Sequence, residues 1–236
     1  MQDNKKTFKV LINQPNDSYE AFVKEIVKTF KPDLEVEFFN FSKELNKIGM
    51  ASLSKIRFNL IVFTGGEDVS PDYYNENKGK HTFTNARRDA TESDMFNLFR
   101  NTPKLGICRG SQFLTVMSGG QLIQHVVNHG ISGTHPISLN SGQTIEITST
   151  HHQMLFPFNL SKENYELIGW STYYRSTTYL DGSDKEKELP SDFLEPEIVY
   201  YNNTKSLAIQ GHPEYMDYST DSIKTIIYLI ITKLLK

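Results

Sequence analysis

A single cysteine, Cys108, is present among 236 residues. That count excludes an intramolecular disulfide and any zinc site built from several thiolates, and a solitary thiol fits a reducing compartment. Positive charge is not in excess either. The chain has 25 Lys and Arg against 28 Asp and Glu, a formal net charge of −3 and no basic stripe, which argues against nucleic acid as the main partner. No run is long and apolar enough to span a bilayer, since Lys224 and Lys233 interrupt the Ile-rich C-terminal stretch. Residues 2–6 are polar and lead into no apolar signal region. The expectation from these absences is a cytoplasmic protein, one domain over residues 1–236, with no nucleic-acid or membrane partner. What the chain does have is core material: 38% hydrophobic residues, including 15 Phe and 12 Tyr.

That material is arranged in alternating patterns. Residues 8–12 form a short apolar run. Asp17 is placed to cap a helix with Glu20 in the box position, and Tyr19, Phe22, Val23, Ile26, Val27 and Phe30 share one helical face before Pro32 stops it. A second strand spans residues 34–41, a short helix 44–53, and a nearly continuous apolar strand 58–63. Strand, helix, strand at this spacing predicts parallel βαβ units, and an unbroken apolar strand fits the middle of a parallel sheet. A helix is predicted over residues 87–99, where Asp89 and Glu92 serve either a solvated first turn or a crevice wall. Further on, strands are predicted at 144–148 and 207–210, and those at 165–170 and 197–202 add a smaller antiparallel portion. The apolar stripe Ile223, Ile226, Ile227, Ile230, Ile231 and Leu234 predicts a closing helix packed on the core.

Chemistry is concentrated where the predicted strands end. Gly106-Ile107-Cys108-Arg109-Gly110-Ser111-Gln112 reads as a strand turning sharply into a helix, with Cys108 at the turn and a glycine two residues to either side. This is the pattern of a nucleophile elbow with sulfur in place of a hydroxyl. A helix N-terminus behind the turn favours a thiolate, and the Arg109 amide points where an oxyanion would form. Thr64-Gly65-Gly66 ends the apolar strand 58–63 and offers a second donor from Gly65 or Gly66, at the strand ends where ligands of open α/β sheets lie. Gly211-His212-Pro213-Glu214 ends the strand 207–210. Residues two apart share a face of an extended segment, and Pro213 favours that extension, so Glu214 is positioned to orient His212. Cys, His and Glu together predict a triad.

Further histidines raise the question of a metal. His125, His129 and His135 fall in a polar stretch containing Gly130 and Gly133 with no carboxylate close in sequence, so loop or substrate-facing roles are expected and a metal site is not. His151 and His152 are adjacent, and on an extended chain they face opposite ways.

Taken in order, Gly65-Gly66-Glu67-Asp68-Val69-Ser70-Pro71, Arg88-Asp89 with Glu92, the Cys108 elbow, Gly119-Gly120, His151-His152-Gln153 and Gly211-His212-Pro213-Glu214 resemble the class I glutamine amidotransferase superfamily. The closest likeness is to the peptidase C26 branch, which includes γ-glutamyl-γ-aminobutyrate hydrolases. The resemblance implies a flavodoxin-like α/β/α sandwich around a mostly parallel sheet, with a Cys108-His212-Glu214 triad. It implies Gly66 and Arg109 as oxyanion donors, and Gly65, Gln112, His151 and His152 around a γ-glutamyl substrate, with no cofactor. Thr115 and Ser149-Thr150 depart from the branch's usual residues, which bears on the substrate rather than the chemistry. Three expectations follow: a stand-alone amidase, a glutaminase subunit feeding ammonia to a separate synthetase or ligase, or a non-catalytic binding protein on the same fold.

Overall fold

The computed structural model describes residues 6–236; residues 1–5, part of the stretch read as lacking an apolar leader, lie outside the described residues. Nine strands form one sheet in the order Glu35–Asn40, Thr7–Ile12, Leu60–Phe63, Lys104–Ile107, Ser206–Ile209, Glu195–Tyr201, Tyr165–Ser171, Gly130–Leu139, Thr144–Thr150. The first five pair in parallel. From Ser206–Ile209 outward the pairing is antiparallel, giving a four-strand extension.

The parallel strands Leu60–Phe63, Lys104–Ile107 and Ser206–Ile209 are buried along their whole length, because helices cover both faces. Alternate residues serve the two layers. Val10, Ile12, Leu60, Val62, Leu105 and Ile107 join the helices Asp17–Phe30 and Asp221–Ile230 in one core. Leu11, Ile61 and Phe63 join Phe41, Phe96, Phe113 and Leu114 in the other, beneath the helices Phe41–Ile48, Ala86–Leu98 and Arg109–Met117. The result is the expected α/β/α sandwich. No helix among the described residues is long and apolar enough to cross a membrane.

Local details differ from the sequence reading in instructive ways. The cap of the first helix is Asn16, whose side chain accepts from the Tyr19 amide at 3.1 Å. Asp17 moves to the first helical position, where its charge still complements the dipole. The helix expected over 44–53 is two helices, Phe41–Ile48 and Met50–Leu53, broken at Gly49. Residues 130–139, read as loop, are a ten-residue strand. Gly130 and Gly133 argue against a helix there but not against an edge-ward strand with a register shift between Gly130 and Thr134.

Candidate active site

Three neighbouring parallel strands end at the same edge of the sheet. Leu60–Phe63 runs into Thr64-Gly65-Gly66, Lys104–Ile107 into Cys108, and Ser206–Ile209 into Gln210-Gly211-His212. Strand adjacency therefore brings together three segments spread over more than 140 residues of chain.

Cys108 has φ +52° and ψ −114°, a conformation that non-glycine residues rarely adopt. The surroundings impose it. The Cys108 amide donates to Ile209 O at 2.9 Å, and the Cys108 carbonyl accepts from the Ser111 amide (2.9 Å) and the Ser111 hydroxyl (2.6 Å). The two flanking glycines allow the turn to close: a Cβ on Gly110 would collide with the Phe63 carbonyl, and one on Gly106 with the Gly110 carbonyl. The helix Arg109–Met117 starts directly behind the sulfur, and its open N-terminal amides favour negative charge there.

His212 Nδ1 donates to Glu214 Oε1 at 2.7 Å, and the His212 amide donates to Thr148 Oγ1 at 2.6 Å. Burial alone would lower the His212 pKa, but hydrogen bonding to Cys108 and Glu214 and their negative charge outweigh it, and the ring is pushed up to about 10. Glu214 is buried, so its charge acts in a low-dielectric setting. Tyr215 stacks on the outer face of the ring, with centroids 5.3 Å apart.

Gly65 closes the other side. A Cβ there would lie 2.9 Å from His212 Cε1 and 3.6 Å from Cys108 Cβ. Its amide donates to Tyr19 Oη at 2.9 Å. Burial, then the Glu214 charge, pushes the Tyr19 phenol up, so it stays protonated. Neither the Gly66 nor the Arg109 N–H has a hydrogen-bond acceptor among the described residues. Gly66 has φ +144°, and a Cβ there would collide with the Arg88 guanidinium, so the position admits glycine alone.

Beneath the turn and elbow lies a buried ion network that the sequence reading did not foresee. Asp89 and Glu92, expected at a solvated turn or crevice wall, have no exposed surface, and both pair with Arg109. Arg88 donates from Nε to Glu92 (3.0 Å), from Nη1 to Glu67 (3.1 Å) and from Nη2 to the carbonyls of Thr64 and Gly65 (2.9 Å each). One network therefore ties the Gly-Gly turn to the first residue of the elbow helix.

The other residues expected around a substrate diverge. Gln112 is buried and donates to Gln153 O at 3.4 Å. His152 is half-exposed and faces Asp68 Oδ1 at 3.1 Å; that hydrogen bond raises its pKa above the usual imidazole value. His151 points away from Asp68 into the interior, with Nδ1 2.8 Å from Gln153 O and Nε2 directed at Glu197. His129 and His135, read as loop groups without a carboxylate, are fully buried beside Glu195 and Glu197. The carboxylates come from a strand about 60 residues away in the chain, a pairing that spacing cannot show. Tyr19 and Thr148 were also missed: one reads as a core position on a helix face and the other as a strand residue, and nothing local marks either.

Comparison with known proteins agrees with the motif reading. The Peptidase C26 family model matches residues 49–158, a span that holds the Gly-Gly turn, the elbow and the His pair and stops before His212. A Mycobacterium tuberculosis protein provisionally named a glutamine amidotransferase is 29% identical over 178 residues, 65% of this chain and 50% of that protein. The carbamoyl phosphate synthase small chain of Buchnera aphidicola is 28% identical over 123 residues, 52% of this chain and 26% of that one. The chain spans about half the length, or less, of these curated relatives. A crystal structure of a Thermoplasma acidophilum protein, provisionally assigned to GMP synthase, superposes with a TM-score of 0.54 at 16% identity, covering 95% of this chain and 94% of that one. At that identity the likeness concerns the fold.

Proposed function

From a chain that matches the Peptidase C26 family and is similar to glutamine amidotransferase-like proteins, we propose a cysteine-dependent amidase, one domain over residues 1–236, acting on the γ-glutamyl amide bond of glutamine or a γ-glutamyl amine. Cys108 Sγ attacks the amide carbon. His212 takes the thiol proton and delivers it to the leaving nitrogen. Glu214 fixes the ring tautomer and supports the imidazolium. The developing oxyanion is received by the Gly66 and Arg109 amides. Amine or ammonia leaves, a γ-glutamyl thioester remains on sulfur, and water attacking the thioester releases glutamate and the thiol. Gln112 and His152 hold the glutamyl end, with Gly65 lining it and His151 supporting that segment through the Gln153 carbonyl.

The observation that carries this reading is the strained Cys108 turn at φ +52° beside a His212–Glu214 pair 2.7 Å apart. Strain held at one residue by its surroundings is a recurrent mark of reactive sites. Incubating the purified chain with glutamine and a panel of γ-glutamyl amides, and measuring glutamate release, tests it directly. Turnover that vanishes in Cys108→Ala is the expected result. A folded wild-type chain that binds a γ-glutamyl compound without cleaving it would instead favour the non-catalytic reading.

A second reading, a glutaminase subunit serving a separate synthetase or ligase, draws on the similarity to the carbamoyl phosphate synthase small chain. It predicts little turnover by the isolated chain and activation when its partner is added.

A further inference from the structure

Away from Cys108, side chains from the antiparallel extension converge in the interior. His129 precedes the strand Gly130–Leu139, His135 lies within it, His151 follows the strand Thr144–Thr150, and Glu197 belongs to Glu195–Tyr201. His129, His135 and Glu197 have no exposed surface, and His151 is 3% exposed. Glu197 Oε1 stands 3.5 Å from His129 Nδ1, 3.6 Å from His151 Nε2 and 3.4 Å from His135 Nε2.

These distances are long for N–H···O hydrogen bonds, which centre near about 2.9 Å. Neither Glu197 oxygen has a hydrogen-bond partner among the described residues, nor do His135 Nε2 and His151 Nε2. The opposite ring nitrogens explain why. His129 Nε2 lies 3.2 Å from Glu195 Oε2, an acceptor, so that nitrogen carries the hydrogen. Ser149 Oγ, 3.5 Å from His129 Nδ1, donates its proton instead to the His129 carbonyl at 2.6 Å. His151 Nδ1 lies 2.8 Å from the Gln153 carbonyl and carries its hydrogen there. Burial lowers the His151 pKa, so a neutral His151 turns its bare Nε2 lone pair toward the Glu197 carboxylate. Ring N–H donors in a charge-assisted pair would draw the carboxylate to about 2.8 Å; at the observed separations a cation between these groups would satisfy them.

We infer that His129 Nδ1, His151 Nε2 and Glu197 form a buried three-residue site for a divalent transition-metal ion, zinc by its donor set. The three ligand atoms lie within 4.8 Å of one another. In a tetrahedral zinc site with bonds of about 2.0–2.1 Å, neighbouring ligand atoms stand about 3.3–3.4 Å apart, close to the 3.5 and 3.6 Å separations of His129 Nδ1 and His151 Nε2 from Glu197 Oε1. Imidazole nitrogens with one carboxylate select zinc or a neighbouring first-row ion over calcium and magnesium, which take oxygen donors. Glu195 on His129 and the Gln153 carbonyl on His151 are the outer partners that orient metal-bound imidazoles elsewhere. An ion here cross-links three strands of the extension, one of which carries Thr148, the anchor of the His212 amide. The site is structural, and it does not depend on the chemistry at Cys108.

The test uses the full chain, expressed without a polyhistidine tag in zinc-supplemented medium and purified without chelator. Elemental analysis is expected to find about one zinc per chain. After the metal is stripped by chelation, Co²⁺ should give the visible absorption of a protein-bound ion, and Zn²⁺ should raise the melting temperature. Glu197→Gln, which keeps the shape and removes the charge, should abolish both. His81→Asn should not, because His81 stacks with His125 in a separate, more exposed pair. If Glu197→Gln fails to fold, the cobalt and zinc titrations of the native chain decide the matter alone. A metal-free chain that neither takes up Co²⁺ nor is stabilised by Zn²⁺ overturns the inference. So does zinc that survives Glu197→Gln or is lost in His81→Asn.

Discussion

Glu214 Oε1 and His212 Nδ1 stand 2.7 Å apart with one proline between them in the chain. The short loop makes the carboxylate a fixed partner of the ring, and its burial keeps water from competing. Glu214→Gln preserves the shape and one acceptor oxygen but removes the charge that supports an imidazolium. Losing the orienting carboxylate of a serine triad costs about 10⁴-fold in turnover. A thiol needs less help from its base, so we expect a loss on the order of 10 to 10³-fold, about 1.4 to 4 kcal/mol of barrier. His212→Ala should lose more, because it also removes the acid that protonates the leaving nitrogen. Steady-state turnover of both variants, with circular dichroism to confirm folding, checks the order. Equal losses would mean that the carboxylate does more than orient.

The raised His212 pKa has consequences for stability and for rate. The ring is held at about 10 in the folded chain against an ordinary value of 6.5. The folded state therefore binds the proton more tightly than the unfolded state, and the stabilisation is fully present below 6.5 and lost as pH rises through about 10. We expect the melting temperature of the wild-type chain to fall across that window and that of Glu214→Gln to fall less. In turnover, the alkaline limb of the kcat/KM profile should lie well above the usual imidazole range and move down in Glu214→Gln. Superimposable profiles for the two proteins would remove the Glu214 charge from the account.

Strain at Cys108 separates function from stability. A non-glycine residue in a sparsely populated conformation costs about 1–3 kcal/mol. Cys108→Gly should be inactive yet more stable than Cys108→Ala by on the order of 1 kcal/mol, measured by denaturant unfolding. If glycine is the less stable of the two, the φ of +52° is not a cost that the fold bears for the sulfur.

Beneath the elbow, Glu92 is paired with both Arg88 and Arg109 and has no exposed surface. Removing one member of a buried ion network leaves uncompensated charge and typically costs about 3–5 kcal/mol. Glu92→Gln should show a loss of that size in chemical denaturation, together with lower activity, because Arg88 also holds the carbonyls of the Gly-Gly turn. A loss under about 1 kcal/mol, the worth of an exposed pair, would show that the network is solvated.

The βαβ half of the fold and the three segments around Cys108 were legible because their signals are local. A glycine-flanked cysteine after an apolar strand, a Gly-Gly strand end and a His-Pro-Glu strand end each declare a turn, and adjacency of parallel strands does the rest. Contacts between segments distant in the chain were not legible. Arg88, Asp89 and Glu92 look like the polar opening of a surface helix until Arg109 arrives from 17 or more residues away. Glu197 reads as one residue of an antiparallel strand, and its meeting with His129, His135 and His151 depends on strand register. Tyr19 carries the apolar periodicity of its helix, so the hydrogen bond its hydroxyl accepts from Gly65 leaves no trace in the pattern.

The claim most exposed to direct test is that a γ-glutamyl thioester forms on Cys108. Mixing the protein with a γ-glutamyl amide, quenching rapidly in acid and analysing the intact protein and its peptides by mass spectrometry reads the intermediate itself. A mass gain of one glutamyl group is expected on the peptide that contains Cys108, appearing before steady state and absent from Cys108→Ala. Turnover with no adduct on that peptide at any quench time, together with activity surviving in Cys108→Ala, would contradict it.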